Sequence, residues 1–273
     1  MLTTDKVILS PDQIESLLIN PVLENSIAAQ VSDTIKTDSP RVVFPRIGDI
    51  AADWVPEGEE IPLSEPTKNE VLVVPRKVAS LIVTTTEGLD DSATGYFDSV
   101  GSTMVSQLIN KVDEAYFTAV ADPAPKGIAA VAGVTPLTGD LADLDLFAQA
   151  RASIASAGFV PGFFAINPAD ALTLSTLKEA TGSNKTLLDV DPTSQRFIVA
   201  GTQVIVSKHV PKGTGYAIPK GVSKLVVRRD AEVTADKSAF FTRDSVGIRG
   251  TMRVGFGFVD EASIVKLTFG AAA

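Results

Sequence analysis

The chain has 273 residues, a net charge of −9 at neutral pH, 45% hydrophobic and 21% charged residues. That balance suits one large globular domain or two modest ones and argues against disorder, while the acidic excess disfavours gripping nucleic acid as the principal role, one local basic patch excepted. The absence of cysteine excludes disulfides, thiolate metal sites and cysteine nucleophiles; no apolar run approaches the roughly 20 residues that span a bilayer, and Met1–Lys6 lacks the apolar core of a signal peptide, so a soluble protein that stays in the cytoplasm is expected.

Residues 11–36 read as an amphipathic arm. Ile14, Leu17, Leu18 and Ile19 cluster, Pro21 interrupts, and Val22, Leu23, Ile27, Ala28 and Val31 resume the pattern. So short a segment has little core of its own and is expected to rest on something else. Residues 40–86 read as extended. Two β-like flanks, Arg41–Ile47 and Val71–Thr86, enclose an acidic stretch from Asp53 to Glu70 in which Pro56, Pro62 and Pro66 oppose helix. A long hairpin with an irregular tip fits best. Such a ribbon is unstable alone, so support from a neighbouring chain is expected.

Residues 92–120 carry the clearest helix. Phe97, Val100, Met104, Leu108, Val112, Ala115 and Ala119 recur in steps of three or four, Asp91 or Ser92 can cap the start, and Pro123 and Pro125 stop it. At about 1.5 Å per residue it would run roughly 43 Å, a girder across the molecule. A Gly/Ala/Pro-rich stretch follows over residues 121–138. A second helix is predicted over 141–157 and a buried strand at Phe163–Ile166. A third helix begins at Asn167 and Pro168 and runs through Leu177. Residues 181–195 read as a polar loop. Strands follow at Phe197–Val199, Gln203–Ser207, Gly215–Ile218 and Lys224–Arg229, and Ala239–Phe269 is β-like throughout. The class is α+β, with no internal repeat.

Catalytic chemistry finds little footing. His209 is the lone histidine, and no Gly-x-Ser-x-Gly elbow supplies a nucleophile for it, so it reads as a loop or strand-end residue. One histidine without cysteine leaves only carboxylates for a metal. Asp90-Asp91 precede a helix, where capping explains them, and Asp189-Val-Asp191 lacks the spacing of an EF-hand. A metal-dependent enzyme built on these aspartates is the third reading of the chain. Lys212-Gly-Thr-Gly215 lacks the ending and the helix of a phosphate loop and reads as a turn between strands. Gly255-Phe-Gly257 reads as a bulge or a close backbone approach. Arg228-Arg229, next to Asp230 and Glu232, read as ion-pair formers within or between subunits. Trp54, the sole tryptophan, reads as an anchor, either in its own domain or in a neighbour's pocket. No catalytic, cofactor-binding or metal-ligating residue is therefore nominated.

The order of features resembles one family. Ala51-Ala-Asp-Trp-Val-Pro-Glu-Gly-Glu-Glu-Ile-Pro-Leu-Ser64 is similar to the segment that opens the extended loop in phage major capsid proteins of the Hong Kong 97 type. The arm in that family resembles Leu9–Ile14 through Pro21–Ser26. The likeness continues through Lys77–Val83, Glu87–Ser92, Ala165–Asp170 with Leu174–Leu177, Gly201–Ser207 and Ile264–Phe269. It implies an N-terminal arm (residues 1–39), an extended loop (40–86), a spine helix with a peripheral domain (87–134), an axial domain (135–225), and C-terminal strands returning to the peripheral domain (226–273). It also implies homo-oligomeric pentamers and hexamers in an icosahedral virion shell, assembled in the host cytoplasm around double-stranded DNA. Separate scaffolding, portal and decoration proteins would be its further partners, and no membrane. The residues expected between subunits are Trp54, Glu57, Glu59, Glu60, Lys68, Arg76, Lys77, Arg228 and Arg229.

Two departures from the family matter. Some relatives join subunits by a lysine–asparagine isopeptide bond assisted by a glutamate; those positions fall here at Ile61, Asp244 and Thr251, and Lys68 has no obvious partner. No autocatalytic crosslinking is expected. The chain also begins almost directly with the arm, so scaffolding is expected to be separate or absent. The runner-up is an encapsulin-type compartment with the same fold.

Overall fold

The computed structural model describes residues 26–47, 52, 54–60, 63, 68–87, 96–142, 144–178, 197–236 and 238–270. In chain order these form α1 (Ile27–Val31), β1 (Asp33–Lys36), β2 (Val42–Ile47), β3 (Lys68–Val73), β4 (Arg76–Thr85) and the long helix α2 (Tyr96–Phe117). A 3-10 turn at Ile128–Ala130 leads to β5 (Thr135–Gly139), α3 (Asp145–Ser156), β6 (Pro161–Ile166) and α4 (Pro168–Thr176). Then come β7 (Phe197–Val199), β8 (Thr202–Val206), β9 (Thr214–Pro219), β10 (Ser223–Asp236), β11 (Ser245–Phe258) and β12 (Val265–Phe269). The first part of the expected arm, residues 1–25, and the loop at 181–195 lie outside the described residues.

Three sheets result. One is four-stranded in the order β1-β10-β11-β4, one is six-stranded in the order β5-β12-β9-β6-β8-β7, and β2 with β3 makes a two-stranded ribbon. In the four-stranded sheet β10 and β11 run antiparallel with a bulge near Arg229, and β11 pairs antiparallel with β4 from Ser245↔Thr85 to Val254↔Arg76. β11 shows why the helix lies where it does. Its even-numbered residues Val246, Ile248, Met252, Val254, Phe256 and Phe258 are buried. Gly250, on the same parity, lets Leu108 and Met104 of α2 come close. The stripe of α2 that meets them contains Met104, Val105, Leu108, Ile109, Val112, Ala115, Tyr116 and Phe117, and Tyr116 stacks edge-on against Phe256 with centroids 5.1 Å apart. A second core lies between the six-stranded sheet and its helices, built from Phe147, Ile154, Phe164, Leu174, Leu267 and Phe269. Asn167 caps α4 by accepting from the Ala169 amide at 3.0 Å, with Pro168 at the first helical position, as the sequence predicts.

Three expectations change. The long helix ends at Phe117, before either proline and three residues short of the expected end; its described part, Tyr96–Phe117, runs about 33 Å. Thr118 turns both its hydroxyl and its amide onto the Glu114 carbonyl, closing the last turn. The chain then doubles back so tightly that a Cβ on Gly127 would stand 2.0 Å from the Ala115 carbonyl oxygen. The second flank of the extended loop is split: Pro75 offers no amide, β3 stays with the ribbon, and β4 leaves it to join the four-stranded sheet. The C-terminal strands part company as well. β11 belongs to the four-stranded sheet, whereas β12 inserts between β5 and β9 of the six-stranded one, because Asp260–Ser263 turns the chain through a loop that Ser263 closes on the Asp260 carbonyl.

Candidate assembly surface

The ribbon is fixed at its root and open at its tip. β2 and β3 pair from Val42↔Val73 to Ile47↔Lys68. Two strands alone bury too little to stand in water, so the root needs a seat. The odd-numbered side of β11 supplies it. A Cβ on Gly255 or Gly257 would lie 2.8 or 2.6 Å from Val73, and one on Gly257 would lie 3.6 Å from Phe44. The Gly-Phe-Gly-Phe run thus sends its aromatic rings to the spine helix and offers bare backbone to the ribbon. This is the close backbone approach expected of Gly255 and Gly257. Arg46 adds a 2.7 Å ion pair to Asp260.

Among the described residues beyond the root, Trp54, Pro56–Glu60 and Leu63 are exposed. Gly58, at φ +87°, and a bond from the Glu59 amide to the Pro56 carbonyl at 3.2 Å form a turn. Glu57, Glu59 and Glu60 are exposed on it. Trp54 is 104% exposed and Leu63 100%. Trp54 is therefore not an anchor within its own chain. Large apolar groups held in water beside a rim of acids mark an interaction site.

The other expected contact residues lie apart from the tip. Lys68 begins β3 opposite Ile47; its side chain lies outside the described residues. Arg76 and Lys77 begin β4, and Arg76 makes an exposed 3.6 Å pair with Asp122, worth about 0–1 kcal/mol. Arg228 Nε donates to the Asp38 carbonyl at 3.2 Å, and Arg229 lies 3.9 Å from Glu232. Asp230 pairs instead with Lys36 at 3.1 Å. The sequence reading overlooked Arg253, which stands opposite Arg229 on one side and Lys77 on the other. Its signal was parity: the strand alternates buried Met252 and Val254 with outward Arg253.

The arm has a buried latch that sequence reading also missed. Asp113 of α2 is buried, and its Oδ1 accepts from Ser26 Oγ at 2.8 Å and the Ala28 amide at 2.9 Å. Its Oδ2 accepts from the Ile27 amide at 3.2 Å. One carboxylate thus satisfies the open N-terminus of α1. Asp113 falls four residues after Ile109 on the apolar stripe, and an acid at such a position is the sequence signal. Below it, Tyr116 OH, Ser32 Oγ and Ser223 Oγ join arm, helix and sheet, with Ser223 2.7 Å from Tyr116 and 2.6 Å from Ser32. Burial pushes the Tyr116 phenol up to about 12.

Burial lowers the pKa of His209, and its Nε2 lacks a hydrogen-bond partner among the described residues. Lys212–Gly215 is a turn between β8 and β9, with Gly213 donating to buried Asp170 at 2.8 Å. Asp90, Asp91, Asp189, Asp191 and Ile61 lie outside the described residues. Among the described residues no group of three metal-binding side chains converges, and no helix is long and apolar enough to cross a membrane. Asp244 uses its backbone carbonyl to receive Thr86, and Thr251 pairs with Ala79.

This architecture, with a tethered arm, a ribbon seated on a sheet and a spine helix beneath it, is the Hong Kong 97 type of shell-building fold. A chain of Mycobacterium phage Bobi superposes with a TM-score of 0.73 at 20% identity, over 90% of this chain and 91% of that one. The structure titled "Capsid of empty GTA particle computed with C5 symmetry" gives 0.74 at 17% identity, over 89% of each. A chain of Microbacterium phage Oxtober96 gives 0.74 at 18%, over 90% and 91%. At these identities the likeness concerns the fold. No curated protein matches the sequence. The family model described as "Phage capsid family" matches residues 7–269, and the chain belongs to that family. It is a structural protein of the phage capsid, and the family match does not favour an encapsulin-type shell.

Proposed function

We propose that the protein self-assembles into pentamers and hexamers of an icosahedral phage head around double-stranded DNA. The joints are non-covalent, made by extended loops and arms that overlap neighbouring copies. The observation that carries this reading is the fully exposed Trp54 and Leu63 on a ribbon seated at its root. A neighbouring subunit is the natural cover, since specific interfaces need about 1,000 Å² or more and a compact body offers less than a ribbon and arm together. Closed rings follow from head-to-tail contacts whose rotation closes.

In this reading residues 1–39 are the arm, 40–86 the extended loop and 87–134 the spine helix with the peripheral domain. Residues 135–225 are the axial domain, and residues 226–273 supply strands to both sheets. Ile61, Asp244 and Thr251 replace the groups that an isopeptide bond needs, so strength rests on buried area at about 25 cal/mol per Å² and on ion pairs. The acidic balance limits adhesion to the enclosed DNA. Scaffolding, portal and decoration proteins are candidate further partners, and assembly takes place in the host cytoplasm. Deleting residues 56–68 and viewing the product by negative-stain microscopy tests this: folded but unassembled protein is expected, and normal shells refute it.

A further inference from the structure

The outward face of the four-stranded sheet carries charges that the described residues leave unbalanced. Arg229 of β10 is the register partner of Arg253 on β11, and Arg253 is the register partner of Lys77 on β4. Cross-strand partners share a face, so three cations stand side by side across three strands, an arrangement that destabilises a sheet in isolation. Arg228, at the bulge between Val227 and Arg229, adds a fourth. With Arg229, Arg253 and Asp38 it lines a hollow of about 170 Å³. Acidic compensation is thin. Glu232 stands 3.9 Å from Arg229 with both side chains well exposed, and Arg228 uses the carbonyl of Asp38 rather than its carboxylate. Among the described residues neither Arg253 nor Lys77 has an ion pair. The same surface, two residues along β11, holds the ribbon root at Gly255 and Gly257.

We infer that this basic row receives the carboxylates of a second copy, delivered by the Pro56–Glu60 turn; the inference rests on the loop-overlap reading above and names the acceptor. The turn presents Glu57, Glu59 and Glu60, all exposed and all without a cation among the described residues. Its own row is not where it sits, since the three glutamates meet no cation among the described residues and the flanking Trp54 and Leu63 are fully exposed. The turn follows the ribbon's last described pair, Ile47↔Lys68, past the Arg46–Asp260 contact that ends its seat, a position that suits contact with an adjacent subunit. Guanidinium groups match carboxylates two bonds at a time, so the arginines fix register as well as attraction. In a chain of net charge −9, this pairing also turns general repulsion between copies into a directed contact.

A charge swap in the full chain tests it. The Glu57→Lys/Glu59→Lys/Glu60→Lys variant and the Arg229→Glu/Arg253→Glu variant should each keep a parental circular dichroism spectrum and lower the assembled fraction about tenfold or more. Their combination in one chain should restore shells. If the sheet variant fails to fold, Lys77→Glu, on the exposed rim, takes its place in the swap. A folded combination that assembles no better than either parent variant overturns the inference. If deleting residues 56–68 abolishes shells while the charge variants assemble normally, the loop seats elsewhere and only the acceptor assignment falls. Normal shells from the deletion remove both.

Discussion

Replacing Asp113 with alanine should free the arm from the spine helix while the rest of the molecule stays folded. The Asp113 carboxylate is 4% exposed and receives three donors, from Ser26 Oγ, the Ile27 amide and the Ala28 amide. Alanine strips the partner from two buried groups, the Ser26 hydroxyl and the Ala28 amide, at about 1–3 kcal/mol each. The Ile27 amide is half-buried and can take water, so it adds little. The sum, about 2–6 kcal/mol, falls on a short segment then held only by Ala28, Val31, the Ser32 hydrogen bonds, the exposed ion pairs of Asp33 and Lys36, and the pairing of β1. Opening therefore becomes local. Hydrogen exchange of the amides at 27–36 should lose protection by about 30-fold or more, at 1.4 kcal/mol per factor of ten, while β11 keeps its own. Asparagine retains an oxygen for two of the donors and should cost about 1 kcal/mol. Unchanged protection over residues 27–36 in the alanine variant refutes the latch.

Three further outcomes follow from the packing. Gly127→Ala places a methyl 2.0 Å from the Ala115 carbonyl and 2.4 Å from that of Tyr116. Backbone cannot rotate aside, so a loss of about 4 kcal/mol or more is expected; a melting temperature within about 2 °C of the parent contradicts it. Gly257→Ala brings its methyl to 2.6 Å from a methyl of buried Val73 and should cost about 1–3 kcal/mol. Val73→Ala in the same chain should recover part of that, and strictly additive losses would dismiss the contact. Tyr116→Phe should cost about 1 kcal/mol at neutral pH, because Ser32 and Ser223 still bond each other. With the folded phenol at about 12 against 10.0 when unfolded, the neutral form is favoured in the fold. The parent should then hold its full stability below pH 10 and lose about 3 kcal/mol as pH rises through 10 to 12. The phenylalanine variant should show a shallower alkaline decline, with Tyr216 providing a remainder; identical pH–melting curves would sink the assignment.

Local signals were legible where one residue decides one feature. Asn167-Pro168 marked a helix start because capping depends on neighbours in sequence. The recurrence of Met104, Leu108, Val112 and Ala115 marked the spine because a helix repeats every 3.6 residues whatever it packs against. The helix end was misplaced at the prolines because Thr118 competes for the last carbonyl earlier, and a threonine has no single meaning in sequence.

The amino-acid order by itself therefore determined the α+β class, the spine, the acidic tip around Trp54 and the lack of an obvious catalytic set. Only the tertiary structure decided which distant pieces meet. Pairing β12 with β5 and β9, seating Val73 on Gly255 and Gly257, and aligning Arg229, Arg253 and Lys77 all depend on register between strands far apart in the chain. A shift of one residue would turn each of those side chains to the opposite face. Asp113 belongs with them. An acid on an apolar stripe signals a buried partner, but the open amides of α1, 85 and 86 residues away, become that partner only once the arm lies across the helix.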